Sequence, residues 1–270
     1  MPDVSTLIEL VDVSIQRGPT RILDHIRMRI PRDEHVAIVG PNGSGKSTLL
    51  KVLMKFFYPS VIDGHSGIVR VLGQEEWNVW ELRKQLGFIS SEIDHHFTLG
   101  RSARLTALQS VLTGFTSSEL EPLEGAITSE MTADAKRWLE QFHMDAKSKK
   151  CIGHMSTGER RRVLLARAMV LKPKAIILDE PTAGLDLYAR WQLLRELNEF
   201  AAAGIQIVLV THHLEEIMPC MQRTILLKEG RVAFDGCTSD ALTAEHISDL
   251  FNIPIQVERN VQGFYRSHLA

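Results

Sequence analysis

Residues 40 to 47 read Gly40, Pro41, Asn42, Gly43, Ser44, Gly45, Lys46 and Ser47. This spacing of glycines, lysine and hydroxyl fits G-x-x-x-x-G-K-[ST], a loop whose backbone N–H groups can curl around a triphosphate. An apolar stretch at 35–39 precedes it and a helical one at 47–57 follows, so a strand leads in and a helix leads out. The helix start adds unpaired donors and the positive end of its dipole. Lys46 is placed to reach the β- and γ-phosphates and the Ser47 hydroxyl to ligate Mg²⁺, with Thr48 next in the binding set. A nucleoside triphosphate is the expected ligand. Further along, an apolar run from Ala175 ends in Asp179 and Glu180. Downstream of such a loop, the first acid faces the metal and the second can polarise a water for attack on the γ-phosphate. Ser156-x-x-Glu159 is a capping box at the start of a helix. His212 and His213 follow the apolar run 205–210.

These groups need a scaffold, and the pattern describes one. Ile26, Met28 and Ile30 alternate with Arg27 and Arg29, the period of a half-buried antiparallel strand at 22–30. Strands are also expected at 7–13, 68–72, 86–90, 175–178 and 205–210. A hairpin is expected at 224–228 and 231–234, turning at Glu229-Gly230. From 91 to 150 the texture is helical, with helices expected at 102–112 and at 132–142, the latter capped by Thr132. Helices follow at 157–171 and 187–203, the second capped by Asp186 with Gly204 just past its end. The expected fold class is α/β. A P-loop NTPase core with a mainly parallel sheet carries an N-terminal antiparallel β part and a helical insertion subdomain. One domain over 1–270 is expected, with the helical subdomain at about 91–160 and a C-terminal extension at about 237–270.

Composition narrows the function classes. A net charge of −2 gives no global pull towards nucleic acid. Arg160, Arg161 and Arg162 are consecutive, so on a helix they point in different directions and form no basic stripe. Cys151, Cys220 and Cys237 are odd in number and far apart, which fits a reducing compartment. Cys151 and His154 have ligand-pair spacing, but no second pair accompanies them. No apolar run approaches the roughly 18 residues of a membrane span. Asp3 and Glu9, with no basic start, do not make a signal peptide.

The order of these groups resembles the ATP-binding cassette (ABC) ATPase family. Its P-loop, signature LSGGQ, acidic strand, AGLD-type turn and switch histidine match Gly40–Ser47, 155–159, 176–180, Ala183-Gly-Leu-Asp186 and His212. The resemblance runs from about residue 7 to 236. It implies Mg-dependent ATP hydrolysis by a head-to-tail dimer, of two copies or of related chains. Each ATP would lie between one P-loop and the other subunit's signature. Ser156, the Gly158 backbone and Glu159 would then cap the γ-phosphate from across the interface, and Asp186 would sit at the subunit contact. His212 would touch the γ-phosphate and hold the water with Glu180; His213 ranks second. The usual partner is a separate membrane permease, and the implied location is cytoplasmic, peripheral to the membrane through that partner. The stretch 250–257 resembles the short C-terminal extension of import-type ATPases.

Two positions depart from the family pattern. Arg17 stands where an aromatic residue stacks on adenine, and a planar guanidinium can do the same. Ser91 and Glu92 stand where a glutamine reaches Mg²⁺; Ser91 could act through a water and Glu92 directly. That glutamine also marks where transport subunits dock. An alternative reading is therefore a soluble ABC ATPase of a regulatory or translation-linked assembly. A P-loop kinase is a third class, but it has no need of the 155–159 signature.

Overall fold

The structure, a computed structural model, describes residues 5–62, 64–98, 100–116 and 125–270; the side chains of residues 91, 92 and 96 lie outside that description. The chain divides into two units, Met1–Val79 with Gln206–Ala270, and Trp80–Ile205.

In the first unit, strands Thr6–Arg17 and Thr20–Pro31 pair antiparallel, and Ile68–Val71 pairs with the other side of Thr6–Arg17. Ile26, Met28 and Ile30 are buried while Arg27 and Arg29 are exposed, as the alternation predicts. The first strand runs past its expected end at 13 because a register shift falls between Leu10 and Val13, where Asp12 has φ 59°. That irregularity breaks the period-2 pattern, and Val13, Ser14 and Ile15 are buried in succession. A parallel set follows, with Val36–Val39 between Gln206–Thr211 and Arg223–Lys228, and Arg231–Cys237 closes a hairpin on the latter. Val36–Val39 and Gln206–Thr211 are buried at every residue, which suits parallel strands covered on both faces.

The helix after the glycine-rich loop, Lys46–Leu53, ends four residues short of the expected 57. Lys55 turns left-handed (φ 59°), and the N–H groups of Phe56 and Phe57 both bond back to the Lys51 carbonyl. This closes the helix without a glycine. Helix Ala244–Phe251, capped by Thr243, leads into an antiparallel hairpin of Ile255–Arg259 and Tyr265–Leu269.

In the second unit, Leu86–Ile89 and Ala175–Asp179 pair in parallel. Helices Ser91–Thr98, Ala107–Thr116, Ser129–Gln141, Thr157–Met169 and Leu187–Ala202 also lie in this unit. Two expected helices are corrected. The one placed at 102–112 is a 3-10 turn, Ser102–Arg104, followed by Ala107–Thr116. Thr106 and Gln109 form a reciprocal capping box that starts this helix, with bonds of 2.9 and 3.2 Å. The helix placed at 132–142 begins at Ser129. Thr128 caps it by accepting from the Met131 N–H, and the Thr132 hydroxyl bonds back to the Thr128 carbonyl inside the first turn. Trp138, Phe142 and Phe200 cluster with ring centroids 5.0–6.3 Å apart. Gly114 lets Ala107–Thr116 pack close to Thr157–Met169, since a Cβ there would meet the Arg167 carbonyl oxygen at 2.5 Å.

Candidate nucleotide site

The Gly40–Ser47 loop is shaped by its own backbone. The Gly40 N–H bonds to the Thr211 carbonyl, the Ser44 N–H to the Pro41 carbonyl, and the Gly230 N–H to the Ser44 carbonyl. Gly45 has φ 104°, and a Cβ there would come within 2.7 Å of Leu23 Cδ2 and 3.0 Å of the Ile22 carbonyl oxygen. Only glycine takes that conformation in that space. Lys46 is buried, and its ammonium donates to the Gly40 and Pro41 carbonyls at 2.7 and 2.9 Å. Ser44 Oγ is buried with no hydrogen-bond partner, a donor for an incoming phosphate oxygen. Ser47 is exposed in the first turn of the helix and Thr48 is half-buried.

His212 comes one residue after the Gln206–Thr211 strand, and Thr211 is the residue whose carbonyl holds Gly40. The histidine and the loop are therefore held at one end of adjacent strands. Its ring lies 3.9 Å, centroid to centroid, from that of His213. Arg17 ends its strand with the guanidinium 4.6 Å from the Phe57 ring centroid. Two bonds tie this strand end to the segment after the P-loop helix, from the Ser60 N–H to the Ser14 carbonyl and from the Gln16 N–H to Ser60 Oγ.

In the second unit, Asp179 ends its strand and Glu180 follows with φ 48°. Sparsely populated backbone of this kind is costly and clusters at functional positions. The Ala183 N–H bonds to the Glu180 carbonyl, and the turn ends at Asp186, whose carboxylate accepts from the Ala189 N–H at 2.8 Å as the expected N-cap. Ser156 and Glu159 form the expected capping box, with bonds of 3.2 and 3.0 Å. The Ala183–Asp186 turn lies at the start of this helix: a Cβ on Gly184 would be 3.7 Å from Thr157 Cγ2, and one on Gly158 3.8 Å from Leu185 Cδ2. Signature and turn thus form one surface.

Several residues of this surface were not expected. Lys147 and Lys150 each place Nζ 2.7 Å from one oxygen of Glu159. Burial pushes the Glu159 carboxyl up, but the bonds from Lys147, Lys150 and the Ser156 N–H outweigh it and hold it at about 2. Asp94 receives the Arg160 guanidinium and lies 3.6 Å from that of Arg161, while Arg162 turns to Glu196 at 3.7 Å. The three arginines form no basic stripe: Arg160 and Arg161 converge on Asp94 and Arg162 turns away to Glu196. Ser91 and Glu92 occupy the first turn of Ser91–Thr98, behind Ser90, whose hydroxyl accepts from the Ile93 N–H. Their proposed metal contact lies outside the described residues, because their side chains are not described.

Among the described residues there is no cluster of three or more His, Cys, Asp or Glu suited to a metal. A Mg²⁺ held by one hydroxyl and one carboxylate, with phosphates completing its shell, needs no such cluster. Ser47 in the first unit and Asp179 in the second each offer an oxygen donor of the kind that ion takes.

A buried strand, a glycine loop closed on its lysine, and a helix opening on a hydroxyl define a P-loop NTPase. The ABC transporter family model matches residues 23–183, and this chain belongs to that family, as an ATP-binding cassette. An ABC transporter ATP-binding protein of Bacillus subtilis strain 168, YlmA, is 31% identical over 256 residues, which span 93% of each chain. The glutamine transport ATP-binding protein GlnQ of Escherichia coli K12 is 33% identical, over 85% of this chain and 91% of its own. Among solved structures, cbiO1 of Clostridium perfringens, part of the ABC transporter complex cbiONQ, superposes with TM-score 0.74. It covers 92% of this chain and 95% of its own at 24% identity, a likeness of fold. No helix among the described residues is long and apolar enough to cross a membrane.

Proposed function

We propose that the chain hydrolyses Mg-ATP as one subunit of an ATP-closed dimer and passes closure and reopening to a separate membrane permease. The observation that carries this reading is the surface built from Ser156–Glu159 and Ala183–Asp186. A capped helix start of this kind suits an anion, and it is a second phosphate-binding feature besides Gly40–Ser47. One copy has one of each, so two complete sites need two copies or a related chain.

The residue roles follow the family. Gly40 to Thr48 cradle the phosphates, Lys46 neutralises the β- and γ-phosphates, and Arg17 stacks on the base. Ser47 and Asp179, with Ser91 or Glu92, would hold Mg²⁺. When bound, the ion offsets charge on the phosphate oxygens. Glu180 takes the proton of the attacking water, and His212 orients that water against the γ-phosphate. Ser156, Gly158 and Glu159 cap the partner's ATP, and Asp186 lies at the subunit contact. The helical subdomain is assigned to about 91–160 and the C-terminal extension to about 237–270. Relatives spanning 93% and 85% of the chain are named as ABC transporter and glutamine transport ATP-binding proteins, which supports a permease partner, and with it a place at the cytoplasmic face, over a non-transport assembly.

Glu180→Gln tests the dimer. With Mg-ATP on a sizing column it should run at twice the monomer mass, and with ADP as a monomer. A protein that binds ATP and stays monomeric overturns the reading. A pull-down with the same ATP-bound variant should recover a multi-spanning membrane protein; recovery of soluble partners alone overturns the permease.

A further inference from the structure

Glu159 puts a carboxylate in the first turn of the helix proposed to meet the partner's ATP. A negative charge there favours the helix itself, but it opposes an arriving γ-phosphate. The structure answers this with two cations, since each carboxylate oxygen has its own ammonium at 2.7 Å. With Glu159 at −1 and Lys147 and Lys150 at +1 each, the three groups sum to +1.

Neither lysine is placed casually. Lys147 ends the 3-10 turn Asp145–Lys147, and the Lys150 N–H bonds to the Lys147 carbonyl. The carbonyls of Ser148 and Lys150 accept from the Leu108 and Ala107 N–H groups at the start of Ala107–Thr116. The segment is pinned to a capped helix, and that sets where the ammonium groups sit. Stability accounts for only a small part of the pair. The two lysine side chains are 47% and 38% exposed, and ion pairs so open to solvent contribute little to folding. The same exposure leaves their charge able to act on an anion approaching from outside.

We propose that Lys147 and Lys150 are positioning residues of the signature, which convert its helix start from a net −1 to a net +1 so that it can accept the ATP held by a second subunit. This rests on the dimer reading above.

The test is a charge series in the Glu180→Gln background, reading the Mg-ATP concentration for half-maximal dimer by sedimentation at low salt. Lys147→Met makes the local sum 0, and Lys147→Met with Lys150→Met makes it −1. Each step should raise that concentration roughly two- to fivefold. Adding Glu159→Gln to the double variant returns the sum to 0 and should recover one step, although it removes part of the capping box. Lys147→Arg with Lys150→Arg should dimerise like the parent. Raising the salt to about 0.5 M should compress the whole series. The inference is overturned if the parent dimerises but the double variant needs no more ATP. It is equally overturned if Glu159→Gln worsens the double variant, because the lysines then only prop the cap. A parent that binds ATP without dimerising removes the dimer reading, and this inference with it.

Discussion

The P-loop and the signature each place a helix start where phosphate binding is proposed, yet they are built by different physics. Around Gly40–Ser47 the shape is backbone: carbonyls of the loop hold Lys46, and Gly45 takes a conformation that other residues rarely adopt. Around Ser156–Glu159 the shape comes from charged side chains, with Glu159 held by Lys147 and Lys150, and Asp94 by Arg160 and Arg161. The first arrangement is nearly complete within eight residues. The second draws on residues from 94 to 196.

The sharpest contrast is in hydrolysis. Lys46→Ala removes the one cation inside the loop, and ATP turnover should fall on the order of 10²–10³-fold, in line with the loss of a preorganised charge-stabilising donor. A variant that keeps more than a tenth of the wild-type rate would break the assignment of Lys46.

Asp94 gives the next largest effect, this time on folding. It is buried between two arginines, and Arg161 is 1% exposed. Asp94→Ala removes the carboxylate that faces these two guanidinium groups and should cost about 3 kcal/mol, read by urea unfolding. A cost below about 1 kcal/mol would mean that the signature helix is anchored by packing rather than by charge.

Two glycines put the comparison in one measurement. Gly45→Ala forces a Cβ onto Leu23 and strains the backbone, and should cost about 2 kcal/mol. Gly158 lies in regular helix, and its nearest neighbours there, Ala189 Cβ at 3.4 Å and Leu185 Cδ2 at 3.8 Å, are at ordinary contact distance. Gly158→Ala should therefore keep or slightly raise stability, by up to about 1 kcal/mol from helix propensity. Its penalty should appear only in ATP-driven dimer formation. Equal destabilisation by both substitutions would erase the distinction.

The same difference decides what could be read from the chain. The P-loop was legible because its geometry is local: glycine, lysine and hydroxyl must stand at fixed offsets. The Ser156–Glu159 box and the Asp186 cap were legible for the same reason, each closing within three residues. The ion pairs were not, since Asp94 and Arg160 are 66 positions apart and meet only after folding. Helix starts failed where two caps competed. Thr106-x-x-Gln109 satisfies both backbone donors and outcompetes Ser102, and Thr128 precedes Thr132 by one turn. The early end of the P-loop helix rests on Lys55 at φ 59°, with no glycine to announce it. Phe57 behind Arg17 was missed because its segment is tied to the strand end by hydrogen bonds through Ser60 rather than placed by sequence offset.

Acid provides the last and smallest contrast. Lys46 is held by carbonyl oxygens, which do not titrate, so its contacts persist at low pH. Glu159 does titrate. Its carboxyl is held at about 2 in the fold, against 4.5 as the ordinary value, so it binds its proton more readily when unfolded. Its stabilisation is fully present above about pH 4.5 and is lost as pH falls towards 2. Many carboxylates protonate in that window, so the wild type must be compared with Glu159→Gln. Urea unfolding at pH 5 and pH 2.5 should show the wild type losing about 1 kcal/mol more than the variant, a figure kept small because both lysines are partly solvated. If the two lose stability in parallel, the ammonium groups do not grip Glu159, and the signature would then rest on backbone capping in the way the P-loop does.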